Sequence, residues 1–524
     1  MAASPSLLAS PSDFDTTFNG GMFDVVAGTG GNDGGLTVVV QHDGRILAGG
    51  QTAITGGGQD WLLLRRNADG TLDTTFGAGS GKVIPGMGGG AGGHTNGAVT
   101  ALVLQSDQKI VGAGYALDAT GAHKVVTVAR FNADGSFDSG FGTGGKTFVD
   151  LGSSGAEAYA VGVQRDGMIV VVATQMGASS SGQLAVMRFT TAGVLDASFA
   201  TGGIFQLPAS VPVASRGWAL ALALQPDGKI LAGTEISTNP VVVRLTTAGA
   251  LDGTFGSAGI ATVPLTSGTG SPQPAQSVKA LQALPDGKIL GLANNGSNWL
   301  FEMRRDGSMF TPFGPSPSHG WSQVTDTPNG MAWLPPGPIR TDGSQSCACF
   351  TLNGYTPDGA VDVAFPSLSR LGPSGQGNVQ LTNLALQPDG RLVGIGYDHL
   401  QVLFARFLGD PQRLRPKDVI FGPAFGVPTS TLETSNTVRI VSLTVGAWVP
   451  VTVSGGTYSI NGGAFTARLG YVTNGDRIAV QHTSAATSGT TVTTTLKFGG
   501  LNTPNAPWVI NGAQVIAKFD SVTL

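Results

Sequence analysis

The phrase ALALQPDGKILAG at residues 221–233 recurs along most of the chain, and it constrains the fold more than any other feature. It joins two apolar runs through a polar turn; further copies occupy residues 38–50, 101–114, 161–172, 281–292 and 384–396, with a decayed copy at 331–337. Pro presets φ in this turn and Gly suits its left-handed position, which predicts a tight hairpin. Repetition at a fixed period indicates stacked units with a shared core.

A second phrase travels with the first and sets the length of the repeat. It consists of an apolar residue, Asp, two further residues and Phe, and it falls at residues 14–18, 72–76, 137–141, 195–199, 251–255 and 361–365. A seventh copy at 309–313 has Phe310 in place of Asp, and the spacing between copies runs from 52 to 65 residues. We therefore count seven units.

Each unit contains short β-type runs separated by Gly, Asp and Asn turns, and helical periodicity is missing. In one unit we predict strands at residues 82–84, 99–105, 109–113 and 125–131. The second and third runs are apolar at nearly every position, as expected for sheets covered on both faces. Four strands per unit at this period predict an all-β fold with a seven-bladed β-propeller over residues 14–408.

The two phrases in register resemble the delta-60 β-propeller repeat of bacterial and phage proteins. The resemblance covers about residues 14–408 and implies a fold, without an activity or catalytic residues. It departs from the pattern in the sixth unit, residues 309–355, where Pro335, Pro336 and Pro338 replace the hairpin.

We call the Asp and the last Phe of the second phrase the anchor aspartate and the anchor phenylalanine. Four arginines each precede an anchor aspartate by eight residues: Arg65 and Asp73, Arg130 and Asp138, Arg188 and Asp196, Arg244 and Asp252. We expect each pair to form a semi-buried bidentate bridge. Arg406 has no such aspartate after it and Asp15 no such arginine before it, so a closed ring would bring the two together. A strand at residues 22–26 would then complete the last blade and remove its exposed edge. Alternatively, the arginine stems only shield strand ends.

The repeats are flanked by different sequence. Residues 1–13 are predicted to be a flexible or partner-docked arm, and the charged, proline-bounded residues 409–418 a linker. Residues 419–524 contain short Val-, Ile- and Thr-rich runs, which predict a small β-sandwich. Residues 453–465 and 472–483 within it are similar to an immunoglobulin-like module of bacterial surface and phage tail proteins, without the paired cysteines of antibody domains.

The sequence shows few patterns that indicate catalysis or ligand binding. Charged residues make up 12% of the chain and the net charge is −4, which argues against specific nucleic-acid binding. Apolar runs long enough to insert into a membrane are missing, and residues 1–21 do not have the composition of a secretory signal. The six histidines are scattered, so we expect no metal, no cofactor and no catalytic residues. Loops that break the repeat, containing His94, His319 and Trp321, are candidate contact surfaces.

These observations favour a structural or adhesive protein over an enzyme. We expect a virion component, in a phage tail as nozzle, platform or fibre-docking subunit, whose partners are other virion tail proteins or its own copies in a ring. The alternative is a secreted bacterial surface protein, extracellular or on the cell surface, that binds glycans or protein partners through propeller loops. A glycan-active enzyme comes third.

Overall fold

The structure is a computed structural model with side chains. It describes residues 15–20, 23–26, 33–41, 43–54, 58–88, 96–105, 107–152, 154–164, 166–177, 182–208, 221–225, 227–236, 239–264, 277–283, 288–294, 298–312, 323–327, 330–334, 349–355, 368–371, 379–387, 391–398, 401–407, 419–440, 449–468, 470–472, 475–498 and 515–523. The predicted arm and linker lie outside these residues, as do His94, His319 and Trp321.

The N-terminal segment begins with a short 3-10 helix at Phe18–Gly20 and a strand, β1 (Phe23–Val26). Four-stranded antiparallel sheets follow in chain order. The first three are β2 (Gly34–Val40), β3 (Ile46–Ala53), β4 (Gln59–Arg66) and β5 (Lys82–Val83); β6 (Ala98–Leu104), β7 (Ile110–Leu117), β8 (Lys124–Phe131) and β9 (Lys146–Val149); and β10 (Ala156–Val163), β11 (Ile169–Met176), β12 (Gly182–Phe189) and β13 (Ile204–Gln206).

Three more complete sheets continue the series. They are β14 (Ala221–Leu224), β15 (Ile230–Ile236), β16 (Asn239–Leu245) and β17 (Ile260–Thr262); β18 (Ser277–Ala283), β19 (Ile289–Asn294), β20 (Asn298–Met303) and β21 (Met309–Pro312); and β22 (Gln323–Thr327), β23 (Gly330–Leu334), β24 (Cys349–Tyr355) and β25 (Leu368–Leu371). A last sheet contains β26 (Val379–Leu386), β27 (Leu392–Asp398) and β28 (Gln401–Phe407), and β1 pairs with β28 as its fourth strand.

The sheets follow one another around a ring. The first strand of each sheet contacts the first strand of the next, from β2 through β6, β10, β14, β18 and β22 to β26, and β26 contacts β2. Each core cluster combines residues from neighbouring sheets, as where Val128 of β8 packs with Val171 of β11. This two-sided burial explains why the middle strands are apolar at almost every position. An all-β fold of repeated four-stranded sheets arranged as a β-propeller is thereby confirmed.

The turn chemistry behaves as its sequence predicts. In the hairpin between the first two strands of a sheet, Gly44, Gly167 and Gly228 have φ of 80°, 84° and 84°. Gln108 occupies the same position in the second sheet with φ of 68°. A side chain in this left-handed region is disfavoured, so the second hairpin carries local strain.

One sequence expectation needs correction. The sequence predicts residues 82–84 in one unit with the strands at 99–105, 109–113 and 125–131, but β5 pairs with β4 of the first sheet, with Leu63 opposite Val83. The strand that completes the second sheet is β9, which pairs with β8. Repeat spacing fixes the period of an array and not its phase, since only strand pairing decides which run closes which sheet.

Residues 419–523 form two further sheets in the described part of the chain. The strands are β29 (Ala424–Val427), β30 (Leu432–Thr434), β31 (Val438–Arg439), β32 (Val449–Ser454), β33 (Thr457–Ile460), β34 (Gly470–Val472), β35 (Arg477–Thr483), β36 (Thr491–Phe498) and β37 (Val515–Thr523). One sheet has the order β29-β37-β36-β32-β34, while β30, β31 and β33 all pair with β35. Side chains of both sheets share one core, including Val451, Tyr458, Val480 and Phe498. Among the described residues, the structure contains no helix suited to crossing a membrane.

Candidate functional site

The arginines and aspartates paired by spacing lie in contact. Nε of Arg65, Arg130, Arg188 and Arg244 donates to Oδ2 of Asp73, Asp138, Asp196 and Asp252 at 2.6, 2.7, 2.7 and 2.8 Å. All eight residues are buried. The contact arises locally, because a hairpin returns the chain past the end of the third strand of its sheet, and the aspartate backbone N–H donates to the arginine carbonyl, as from Asp138 to Arg130 at 2.9 Å.

Each arginine also reaches into the next sheet. Nη1 of Arg130 donates to the carbonyl of Thr191 at 2.6 Å, and Nη1 of Arg188 to that of Thr247 at 2.5 Å. Arg65 and Arg244 donate in the same way to Ala133 and Arg305. The sequence predicts a bidentate bridge within the turn. In the structure Nε of each arginine bonds the aspartate, and Nη1 bonds the next sheet at the contact between the two sheets, which we call a joint.

The anchor phenylalanine completes each joint. The guanidinium carbon of Arg65 lies 4.6 Å from the centre of the Phe76 ring, and equivalent stacks involve Phe141, Phe199 and Phe255. Phe76 in turn lies under Gly135 of the next sheet, where an added Cβ would approach the ring to 2.7 Å and φ is +89°. Only glycine fits there, which explains the Asp-Gly in that turn.

The two ends of the repeat region meet through the same arrangement. Nη2 of Arg406 lies 2.9 Å from Oδ2 of Asp15, and the Asp15 N–H donates to the Arg406 carbonyl at 2.9 Å. Arg406 stacks on Phe18 at 4.7 Å and donates Nη1 to the Ala68 carbonyl of the first sheet. The last sheet is thus joined to the first by residues from opposite ends of the repeats.

Most of the anchor aspartates have a second cationic side chain beside the carboxylate. Lys109 lies 2.8 Å from Asp138, Lys229 lies 3.0 Å from Asp252, and Arg391 lies 2.9 Å from Asp15. The Lys109 hydrogen bond is the largest influence on Asp138 and lowers its pKa to about 2. Burial would raise the pKa of Asp15, but hydrogen bonds from Thr17 and the charges of Arg406 and Arg391 outweigh it and lower that pKa. These carboxylates stay ionised as structural groups.

The fifth sheet departs from this scheme in a way that sequence reasoning missed. Glu302 of β20, eight residues before Phe310, stands at the position that arginine occupies in five of the other sheets. It is buried, and Lys288 lies 2.8 Å from its Oε1. A residue-by-residue alignment of the repeats would have exposed the reversal of charge.

A second polar region lies at the opposite ends of the strands and breaks the repeat symmetry. Glu157 of β10 is buried; Lys124 of β8 lies 2.6 Å from its Oε1, and the Tyr159 hydroxyl donates to its Oε2. The Lys124 ammonium sits 4.0 Å above the Tyr115 ring of β7. Burial and the Glu157 charge raise the pKa of Tyr159, so its hydroxyl remains a donor. The cluster binds the second sheet to the third.

The sequence analysis did not single out this cluster. A signal for it exists, because Glu157 occupies a first-strand position where most repeats have apolar or small residues. The described residues contain no group of three or more His, Cys, Asp or Glu side chains arranged to hold a metal ion. The candidate site is therefore defined by polar side chains at the joints between sheets.

Fold and joints together define the chain as a β-propeller protein. Four of its repeats, residues 41–76, 105–141, 164–199 and 225–255, match a family described as a domain of unknown function (DUF5122) beta-propeller. A search of curated protein sequences finds no match.

Solved structures with a similar fold include virginiamycin B lyase from Staphylococcus aureus, at 11% identity and a TM-score of 0.42, covering 74% of this chain and 99% of that one. Puromycin hydrolase is similar at 14% identity and a TM-score of 0.42, with 82% and 61% coverage. A Hadza microbial sialidase has 11% identity and a TM-score of 0.39, with 72% and 65% coverage. At this distance the activities of these enzymes carry no argument about the present chain.

Proposed function

We propose that this chain is a non-enzymatic structural and docking protein. In this proposal residues 14–408 are a seven-bladed propeller of the delta-60 type closed by the N-terminal strand. Residues 409–418 act as a linker, and residues 419–524 are an immunoglobulin-like docking module.

The observation that carries the proposal is the set of buried arginine–aspartate ion pairs at the joints between sheets. At five joints the same three side chains, arginine, aspartate and phenylalanine, tie one sheet to the next, and the arginine also donates to a carbonyl across the joint. Buried ion pairs of this kind fix a geometry more than they add stability. A ring with repeated, fully engaged joints suits a rigid platform that holds other molecules in place.

A phage tail is the setting we propose, with the protein as nozzle, platform or fibre-docking subunit in the virion. Its partners are other tail proteins or further copies of itself, since heterologous contacts between identical subunits generate rings.

Electron microscopy of the purified full chain, together with light scattering after size-exclusion chromatography, tests this proposal. We expect closed rings of several copies, or decoration of tail particles when the protein is mixed with them. A strict monomer that leaves tail particles bare would contradict the tail role.

The second candidate is a bacterial surface protein that binds glycans or proteins through the propeller. It is favoured by the face carrying Tyr115, Lys124 and Glu157, where the repeat symmetry is broken by polar side chains. Binding of the monomer to bacterial or host surface glycans, without ring formation, would favour this candidate over the tail subunit.

A further inference from the structure

The joint between the first and second sheets contains an open cavity of about 670 Å³. Its walls include Thr74, Ala78 and Val83 of the first sheet, and Asp134 and Ser136 of the second. Most of the lining residues are exposed to solvent. The volume lies within the range of about 300–1,000 Å³ that is usual for ligand pockets, so the cavity has room for a small molecule.

The loop beside this cavity is longer than its equivalents at three other joints. Residues 77–81 give it five positions between Phe76 and β5. The equivalent loops of the second, third and fourth sheets have four positions each: residues 142–145, 200–203 and 256–259. Within the longer loop Ala78 has φ of 54°, a left-handed conformation that disfavours a side chain. The cavity therefore lies where this joint departs from the repeat.

Asp134 brings a carboxylate to the cavity. Its Oδ1 accepts from the Ser136 backbone N–H at 2.9 Å and from the Ser136 hydroxyl at 2.7 Å. These hydrogen bonds lower the pKa of Asp134, so the carboxylate is ionised at neutral pH. Its Oδ2 makes no hydrogen bond to the described part of the chain. The equivalent turns of the third and fourth sheets have Ala192 and Ala248 instead.

The other lining groups are mostly small and polar. Thr74 is exposed, and its hydroxyl makes no hydrogen bond to a described residue. The Thr75 hydroxyl is engaged, since it donates to Asp73 at 2.7 Å and accepts from Nη2 of Arg65 at 2.9 Å. Val83 is the lining residue with an apolar side chain larger than a methyl group. An apolar ligand would therefore bury little apolar surface here.

We propose that this cavity binds a neutral saccharide. Sugar hydroxyls both donate and accept, so one can donate to Oδ2 of Asp134 while another accepts from the Thr74 hydroxyl. Val83 offers a contact for the C–H groups of the ring. The ionised carboxylate repels an acidic ligand, and the Arg65 guanidinium at the same joint opposes a cationic one. The inference deepens the proposed docking role and rests on it.

The experiment probes an array of neutral, sialylated and cationic chitosan-type oligosaccharides with the full chain and measures the hits by calorimetry. We expect neutral glycans to bind. Asp134→Asn should weaken binding about tenfold or more, because its amide oxygen still accepts from Ser136 and its NH₂ group then replaces the acceptor Oδ2. Deletion of Ala78, which restores the four-position loop, should abolish binding.

Asp306→Asn is the matched control. Asp306 accepts from the Ser308 N–H at 2.9 Å and from its hydroxyl at 2.7 Å, so it has the same turn chemistry at the joint between the fourth and fifth sheets, beside a four-position loop. This variant should bind as the parent does. Hydrogen exchange provides a second readout, since a bound neutral glycan should slow exchange in parent peptides that cover residues 74–83.

Three results would overturn the inference: no binding of neutral glycans, a preference for charged glycans of either sign, or equal binding by the parent, Asp134→Asn and the Ala78 deletion while both variants keep the circular dichroism spectrum of the parent. Ring assembly in electron micrographs is scored separately from all three. Failure of the saccharide site and failure of the structural role are therefore distinguishable.

Discussion

Arg406 of β28 and Asp15, which precedes β1, form a buried ion pair with 2.9 Å between Nη2 and Oδ2. One residue comes from the last repeat and the other from the first. Their contact sits beside the pairing of β28 with β1, where Ala405 lies opposite Phe23. The ring is thus closed by side chains and backbone at the same place.

Removing Arg406 should destabilise the propeller strongly. Arg406→Met leaves Asp15 buried with Arg391 as its nearest cation, and breaking a buried pair from one side costs about 3–5 kcal/mol. Guanidinium unfolding of the full chain measures the loss. Asp15→Asn combined with Arg406→Met is the control, and it should recover part of the stability. A loss below about 1 kcal/mol would mean that this pair does not hold the ring closed.

The strained hairpin of the second sheet can be relieved. Gln108 has φ of 68°, whereas Gly228 has φ of 84° in the equivalent turn. Gln108→Gly should stabilise the protein by about 1 kcal/mol, because glycine reaches left-handed conformations without the side-chain penalty. Gly228→Gln is the reverse exchange and should destabilise by a similar amount in thermal unfolding. Equal effects of the two variants would contradict the assignment of strain.

The hydroxyls of Ser277 and Thr382 should respond oppositely to removal. Thr382 Oγ1 donates to the Gly35 carbonyl at 2.6 Å, across the joint between last and first sheets. Thr382→Val removes this hydrogen bond and should cost about 1 kcal/mol, whereas Ser277→Ala removes a buried hydroxyl without a described partner and should be neutral or stabilising. Chemical denaturation of both variants tests the contrast. A clear loss for Ser277→Ala would show that its hydroxyl has a structural partner.

The C-terminal sandwich should lose stability in mild acid. His482 is buried between Thr494 and Ser521, 2.7 Å from each hydroxyl, and burial lowers its pKa despite the nearby charges of Glu433 and Asp520. Between its folded pKa and about 6.5, the unfolded chain binds more protons, so the free energy of unfolding falls as pH falls through this window, by at most about 1.4 kcal/mol per pH unit.

Hydrogen exchange of peptides covering β35 and β36 in the full chain measures this effect between pH 7 and 5, after correction for the intrinsic exchange rate. His482→Gln should flatten the dependence, because glutamine keeps polar atoms near both hydroxyls and does not titrate. An unchanged slope in that variant would assign the effect to other groups.

Much of the propeller's local structure could be predicted, because it depends on residues that are close together in the chain. Pro, Asp and Gly in the hairpin set its turn, and the eight-residue spacing places Arg130 beside Asp138, because the return of one turn suffices to join them. Glu302 and Glu157 were not found, because the cations beside them, Lys288 and Lys124, come from elsewhere in the chain.

The sequence by itself determined the period of the repeats, the hairpins and the continuous apolar character of the middle strands, because these depend on residues close together in the chain. Only the tertiary structure decided which strand completes each sheet, that each of these guanidinium groups also donates to the neighbouring sheet, and that Lys124 lies beside Glu157 of the next sheet. Those outcomes depend on how sheets pack against one another, and no local pattern encodes the distance between groups far apart in the chain.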